Sequence, residues 1–189
     1  MASRGASSES PIGAWRLAEQ FIIRPFDPSE WEAFRDLRLK ALKTEPAVFT
    51  ATYERSSQLT AEHWRHYMRR DATQQVFGLF DGDRLIGITA AFRFRGDPTG
   101  ETAILAMSYI EPEYRGRGLS SMLYQARLDW IRAQPHFTRV IVGHRESNEV
   151  SKRANQRFGF EYIGRETHLW PDGVTEDELL YELNIRRTD

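Results

Sequence analysis

The stretch Arg115-Gly116-Arg117-Gly118-Leu119-Ser120 constrains the fold most, because of what stands on either side of it. Before it runs an apolar, strand-like segment, Ala103 to Ile110, closed by Glu111-Pro112. After it, Leu119, Met122, Leu123, Ala126 and Trp130 fall on one face of a helix. Strand, glycine-rich turn and helix start bring several backbone N–H groups to one point. The helix dipole and two arginines add positive potential, so the turn suits a phosphate or pyrophosphate. Two familiar phosphate loops are excluded: no Gly-Lys-Ser/Thr follows the glycines, and the three-glycine dinucleotide fingerprint is missing. Alone, Arg-Gly-Arg-Gly also fits a basic surface turn; its flanks favour the phosphate site.

Elsewhere the pattern alternates between strand and helix. Phe21 to Arg24 reads as a strand, and Asp27-Pro28-Ser29-Glu30 as a helix start with an N-cap, a proline and an acid. Trp31, Phe34, Leu37, Ala41 and Leu42 give that helix its apolar stripe, and Thr60 caps a second one carrying Trp64, Tyr67 and Met68. The segment between them, Thr44 to Leu59, reads as irregular. Val76–Phe80 and Leu85–Phe94 flank Asp81-Gly82-Asp83 as a hairpin. Arg139 to His144 is a strand. Val150, Ala154 and Phe158 lie four apart on a helix that Gly159 ends. Two closing strands, about Phe160–Trp170 and Glu178–Ile185, flank Pro171-Asp172-Gly173. The predicted fold is α/β (α+β), a mixed central sheet of about seven strands flanked by helices, in the order β-α-α-β-β-β-α-β-α-β-β. Its parallel step, from Ala103–Ile110 through a helix to Arg139–His144, places the glycine turn and His144 at neighbouring carboxyl strand ends, where ligands sit in such sheets.

With 189 residues, the chain suits a single domain over residues 19–189 after a flexible Ser/Gly/Ala-rich extension over residues 1–18. The start Met1-Ala2-Ser3-Arg4 leaves a transit peptide open, but no signal-peptide apolar core is present. A formal net charge of −1 supplies no field for nucleic acid or anionic lipid. No apolar run reaches the roughly 20 residues of a membrane span, so a cytoplasmic location is expected. Without cysteine there are no disulfides, thiolate metal ligands or cysteine nucleophile. The five histidines show no metal-ligand spacing, and no metal is expected.

The glycine turn, the segment Asn148 to Phe160 and the element order together resemble the GNAT superfamily of acyl-CoA-dependent N-acetyltransferases, over about residues 20 to 186. Arg115, Gly118 and Ser120 fall on the family's Arg/Gln-x-x-Gly-x-Gly/Ala pattern. Asn148, Ser151, Gly159 and Phe160 fall on its Asn-x-x-Ala/Ser followed by Gly-Phe. The resemblance implies acetyl-CoA as cosubstrate, with its pyrophosphate on the amides of Arg115, Gly116, Arg117, Gly118, Leu119 and Ser120. It implies a pantetheine arm beside Ser108 to Ile110 and near Asn148, and a bulged strand near Ile110 whose amides face the developing oxyanion. Two positions depart from the pattern. Ser120 stands where Gly or Ala is usual. Asn155, counted with the coenzyme-side residues, replaces a tyrosine thought to protonate the departing thiolate; an amide cannot be that acid.

Acetyl transfer to an amine needs a neutral amine, oxyanion donors and a proton for the thiolate. His144 is the first candidate for proton relay, with a packed histidine as the plain reading. Glu54 follows, as an acid that orients or deprotonates the amine, or as a solvated loop residue. Tyr109 is a third candidate, read also as packing. Arg153 and Arg157 either approach the coenzyme's phosphates or form a solvated helix face. The expected function is acetyl transfer from acetyl-CoA to a primary amine, of a small molecule or a protein, by direct attack in a ternary complex. The alternatives are a catalytically weak acyl-CoA binding or sensing module and an RNA-associated protein, the latter disfavoured by the charge balance. Members of the family often dimerise, so a homodimer is compatible with the resemblance.

Overall fold

In the computed structural model, residues 15–17 and 20–186 are described. Strand β1 (Trp15–Leu17) and β2 (Phe21–Pro25) precede a 3-10 turn (Pro28–Glu30) and helices α1 (Trp31–Thr44), α2 (Tyr53–Ser57) and α3 (Ala61–Tyr67). Then come β3 (Gln74–Asp81), β4 (Arg84–Arg93), β5 (Thr102–Ile110), a 3-10 turn (Pro112–Tyr114) and α4 (Ser120–Arg132). Strand β6 (Arg139–Arg145), α5 (Glu149–Arg157), β7 (Glu161–Leu169) and β8 (Thr175–Asn184) complete the chain.

All seven expected strands join one sheet, ordered β1-β2-β3-β4-β5-β6-β8-β7, with β1 as an eighth at the edge. Within the stretch expected as an extension, Trp15–Leu17 forms a strand and pairs antiparallel with Phe21–Ile23. The rest of that stretch lies outside the described residues. The second difference is α2. Thr52 accepts from the Arg55 amide at 3.2 Å and caps a five-residue helix within the segment expected to be irregular. One turn is too short for apolar periodicity to register. The Asp27 signature forms a capping box, in which Asp27 accepts from the Ser29 amide at 2.9 Å and Glu30 from the Asp27 amide at 2.6 Å. It closes a 3-10 turn that leads into α1.

Two apolar layers sandwich the sheet. On one face Phe34 and Leu42 of α1, Trp64 of α3 and Met68 just after it pack against Phe26, Ile88 and Tyr109. On the other, Leu123, Ala126, Leu128 and Ile131 of α4 cover Phe77, Ile86, Ala103 and Val140. The hairpin turn is as expected, with Gly82 at a φ of 57°. Val150 is not core: at 72% exposed it faces outward, and Asn155 is the buried residue of α5.

Two irregularities in β5 shape the site. Its parallel pairing with β6 covers three positions, ending at Ile104↔Ile141; beyond these β6 pairs with β8 and β5 with β4, so the two part. Toward β4 the register runs Ala90↔Ala106 and then Ile88↔Tyr109, an extra residue on β5. Met107 absorbs it at a φ of 59°. The bulge expected near Ile110 therefore lies at Met107–Ser108. A left-handed methionine is costly and persists because flanking pairs hold both strands in register.

Arg145 locks the parted end of β6. Buried to 6% exposure, its guanidinium pairs with Asp172 at 2.6 Å and with Glu176, and donates to the Ala47 carbonyl at 3.3 Å. It thereby ties the β7–β8 hairpin to the α1–α2 connection. Arg145 holds the Asp172 carboxyl below the usual carboxylate range. Ser147 and Arg145 do the same for Glu176. Depressed carboxyl values stabilise the fold above the unfolded value of about 4, and that stabilisation is lost as pH falls through the folded values. Arg145→Met is expected to lower the Tm at pH 7 by several degrees, with the gap to the wild type closing as pH falls below about 4. Thermal melts across that range check it; a gap independent of pH would contradict it.

Candidate active site

A cleft of about 750 Å³ opens where β5 leaves β6, between the carboxyl end of β5, the start of α4 and one side of α5. Its mouth is built by the glycine turn. Gly116 and Gly118 both take a φ of 76°, the left-handed region that favours glycine. This conformation turns the chain into α4 without a side-chain cap at Leu119. Among the described residues, no acceptor takes the amides from Gly116 to Ser120. Successive free N–H groups at a helix start form a cradle for an anion.

The arginines of the turn do other work. Arg115 donates through Nε to the Ile110 carbonyl at 2.8 Å, pairs with Glu45 at the end of α1 and lies over the Tyr109 ring at 5.5 Å. It borders the cleft as a strut. Arg117 turns away, donating to the Glu113 carbonyl at 3.1 Å and covering Tyr114 at 5.1 Å. Positive charge at the mouth comes instead from Arg153 and Arg157 of α5, which line the cleft.

Deeper in, Ser108, Tyr109 and Ile110 form one wall, and Leu119, Ser120, Leu123, Tyr124 and Arg127 of α4 the other. Asn148 and Ser151 close the α5 side; Asn148 Oδ1 accepts from the Ser151 amide at 3.0 Å and so caps that helix. Asn155 is fully buried behind this wall. Its Oδ1 accepts from the Tyr124 hydroxyl, and its Nδ2 has no partner among the described residues. Tyr124 is stacked on Phe158 at 4.5 Å, and burial pushes its phenol up.

The proposed proton-handling residues separate. Tyr109 lines the cleft, 3% exposed, and burial pushes its phenol up. Glu54 is exposed on α2 and borders neither this cleft nor the cavity below it. His144 points into the packed layer: 5% exposed, stacked on Tyr181 at 5.2 Å, with Nδ1–H donating to the Arg145 carbonyl at 2.8 Å. A different carboxylate, which likewise borders neither cavity, lies over β6 beyond the position where β5 parts from it. Glu178 of β8 lies across Gly143, where a Cβ would come within 2.2 Å of Glu178 Oε1. Burial pushes its carboxyl up, and His168 Nε2 is 3.0 Å away.

A second cavity, about 620 Å³, lies on the opposite face of β5. Met107 lines it, whereas its neighbour Ser108 lines the first, so the bulge separates the two. Tyr67, Phe92 and Phe94 give it aromatic walls; Arg93, Arg95, His63 and His66 are its ionisable groups, and no Asp or Glu borders it. Phe92 and Phe94, aromatics whose strand spacing also suits an acceptor pocket, line this cavity, whereas Tyr124, Arg127 and Glu178 were not anticipated. The one available signal was spacing, since Ser120, Leu123, Tyr124 and Arg127 repeat on a single helical face.

No helix among the described residues is long and apolar enough to cross a membrane, and no group of metal-ligating side chains is found among them. A phosphinothricin N-acetyltransferase from Streptomyces coelicolor is 30% identical over 121 residues, 64% of this chain and 66% of that protein, just under two thirds of its length. An acetyltransferase of the GNAT family from Streptococcus pneumoniae aligns with a TM-score of 0.77 at 18% identity, covering 88% of this chain and 100% of that one. The structure of RimL, a ribosomal L7/L12 alpha-N-protein acetyltransferase in complex with coenzyme A, aligns with a TM-score of 0.71 at 16% identity, over 91% of this chain and 98% of that one. At such identities these structures establish the fold. Sequence carries the assignment further: the model of the Acetyltransferase (GNAT) family matches residues 31–160, and the chain belongs to that family.

Proposed function

We propose that the protein transfers the acetyl group of acetyl-CoA to a primary amine by direct attack in a ternary complex. The observation that carries this reading is the row of unclaimed amides from Gly116 to Ser120 at the mouth of a cleft that ends where β5 and β6 part. The amides receive the pyrophosphate, with Arg153 and Arg157 facing its charge. The pantetheine lies along Ser108–Ile110, where β5 has lost its β6 partner and offers free strand edge. The thioester then comes to the bulge, and the amine reaches it from the second cavity on the other face. The amine nitrogen forms its bond to the acetyl carbon, the C–S bond breaks, and the electron pair leaves on sulfur. The chain has no cysteine to carry a thioester intermediate, which favours this single displacement.

The amine must be neutral to attack, although a free alkyl amine holds its proton to a pKa near 10. Glu178 takes that proton, directly or through a water. It shares the face of the second cavity, because Leu179 and Tyr181 on β8 point into the opposite layer. A buried carboxyl with a raised value is better matched to proton transfer near neutrality than an exposed one. The acceptor is a small amine carrying an anionic group. Arg93 and Arg95 with no neighbouring acid favour a carboxylate or phosphinate over a polyamine, and the Streptomyces relative acts by name on phosphinothricin.

Three outcomes check this reading. Thiol release with acetyl-CoA is expected from amino acids bearing a second acidic group and from phosphinothricin, at least tenfold faster than from polyamines. Equal rates across such a panel, or none, would contradict it. Gly118→Val forces a branched side chain into a left-handed turn and is expected to weaken coenzyme A binding at least tenfold by calorimetry. An unchanged Kd would remove the cradle. Glu178→Gln is expected to lower kcat by about 10²-fold and abolish the acidic limb of the pH–rate profile, with coenzyme A affinity unchanged. A retained limb would clear Glu178 of the role.

A further inference from the structure

One buried side chain of the cleft carries a charge without a charged partner among the described residues: Arg127. It sits midway along α4, 2% exposed, and borders the cleft. Its Nε donates to the Leu123 carbonyl at 2.9 Å and its Nη1 to Ser108 Oγ at 2.9 Å. Its Nη2 is buried and bonds to nothing among the described residues. It forms no ion pair among them; the charged partner a buried guanidinium normally requires is missing. The Tyr124 ring lies 4.7 Å away, and burial lowers the guanidinium only to about 10, which leaves it cationic at neutral pH.

Its place along the cleft limits what it can serve. Arg127 lies seven positions beyond Ser120, about 10 Å of helix, so the α4 wall carries the amide cradle at one end and an uncompensated cation at the other. Ser108, which fixes Nη1 and is itself held by Thr89 at 2.9 Å, directly follows the bulged Met107. Arg127 therefore stands beside the point where β5 and β6 part, far from the phosphates. A leucine at this helical position would fill the same space without burying charge. The neighbouring hydroxyl offers no proton, since Tyr124 already donates to Asn155, and Asn155 has none acidic enough to give.

We propose that Arg127 holds the sulfur of coenzyme A as its thiolate, so that the leaving group departs as an anion paired with a buried guanidinium. The inference rests on the acetyltransferase reading above. In the step it concerns, the C–N bond forms, the C–S bond breaks and the electron pair goes to sulfur. The ammonium's first proton passes through Glu178 to solvent before attack; the proton the nitrogen sheds as the C–N bond forms then goes to the freed Glu178 carboxylate, and the thiolate is protonated by solvent once the coenzyme leaves. No acid inside the cleft is required, which accounts for an amide at position 155.

The test needs no turnover. The chain contains no cysteine, so ultraviolet thiolate absorbance of a coenzyme A complex, blanked against the S-methyl coenzyme A complex, reports the bound sulfur alone. In the wild type the bound thiol is expected to ionise with a constant at least tenfold greater than that of free coenzyme A. Arg127→Met is expected to abolish that increase and lower kcat at least tenfold, while Arg127→Lys restores part of both. Should the methionine variant fail to fold, Ser108→Ala, which frees Nη1, is expected to reduce the enhancement. Coenzyme A bound normally, with a thiol that ionises alike in the wild type and in the Arg127 and Ser108 variants, would overturn the proposal and leave the acetyltransferase reading standing. No coenzyme A binding by the wild type would overturn both.

Discussion

The parting of β5 from β6 beyond Ile104 and Ile141 is the constraint on which the rest depends. A parallel pair that ends after three positions leaves backbone N–H and C=O groups of Ser108 to Ile110 without a strand partner on that side. Unpaired strand edge inside a fold is costly unless something takes its place. The cleft exists because α4 and α5 stand over this gap, and Arg145 keeps it open by fastening the β6 end to Asp172, Glu176 and the Ala47 carbonyl. Met107 does the corresponding work on β5: its left-handed backbone puts Ser108 on one face and itself on the other. Two cavities thus lie to either side of a single residue step.

Charge is distributed along the same line. Backbone amides, Arg153 and Arg157 line the mouth of the cleft, and Arg127 borders its inner end. Arg93 and Arg95 look into the cavity opposite, while Glu178 sits beside the gap. The carboxylates near the glycine turn are engaged, Glu111 by Lys40 at 2.7 Å and Glu45 by Arg115. Pairing them removes negative charge from the approach to the amide cradle.

The parts legible in the sequence were those decided locally. A glycine turn between an apolar run and a helical stripe needs nothing distant to specify it, and Asn148, Gly159 and the Asp-Gly hairpin turn were equally local. What escaped depends on tertiary register. No residue type at Met107 announces a left-handed bulge, because the mismatch with β4 creates it. Arg127 lies in a buried stripe where an arginine contradicts the apolar pattern, so periodicity alone discards it. Val150 misled in the opposite sense: valine at helical spacing reads as core, yet it lies exposed beside the cleft. His144 shows that position along a strand does not set the direction of a side chain; alternation turned it into the packed layer. Arg115 and Arg117 were rightly placed at the turn, but their guanidinium groups are taken by Glu45 and by the Glu113 carbonyl.

The most direct test of the account is a backbone amide NMR titration with coenzyme A and, separately, with pantetheine, which lacks the diphosphate. The amides of Gly116 to Ser120 are predicted to shift downfield and saturate with coenzyme A, and to stay in place with pantetheine. Perturbations that spare this turn, or that appear equally with both ligands, would contradict the claim that these five N–H groups hold the diphosphate.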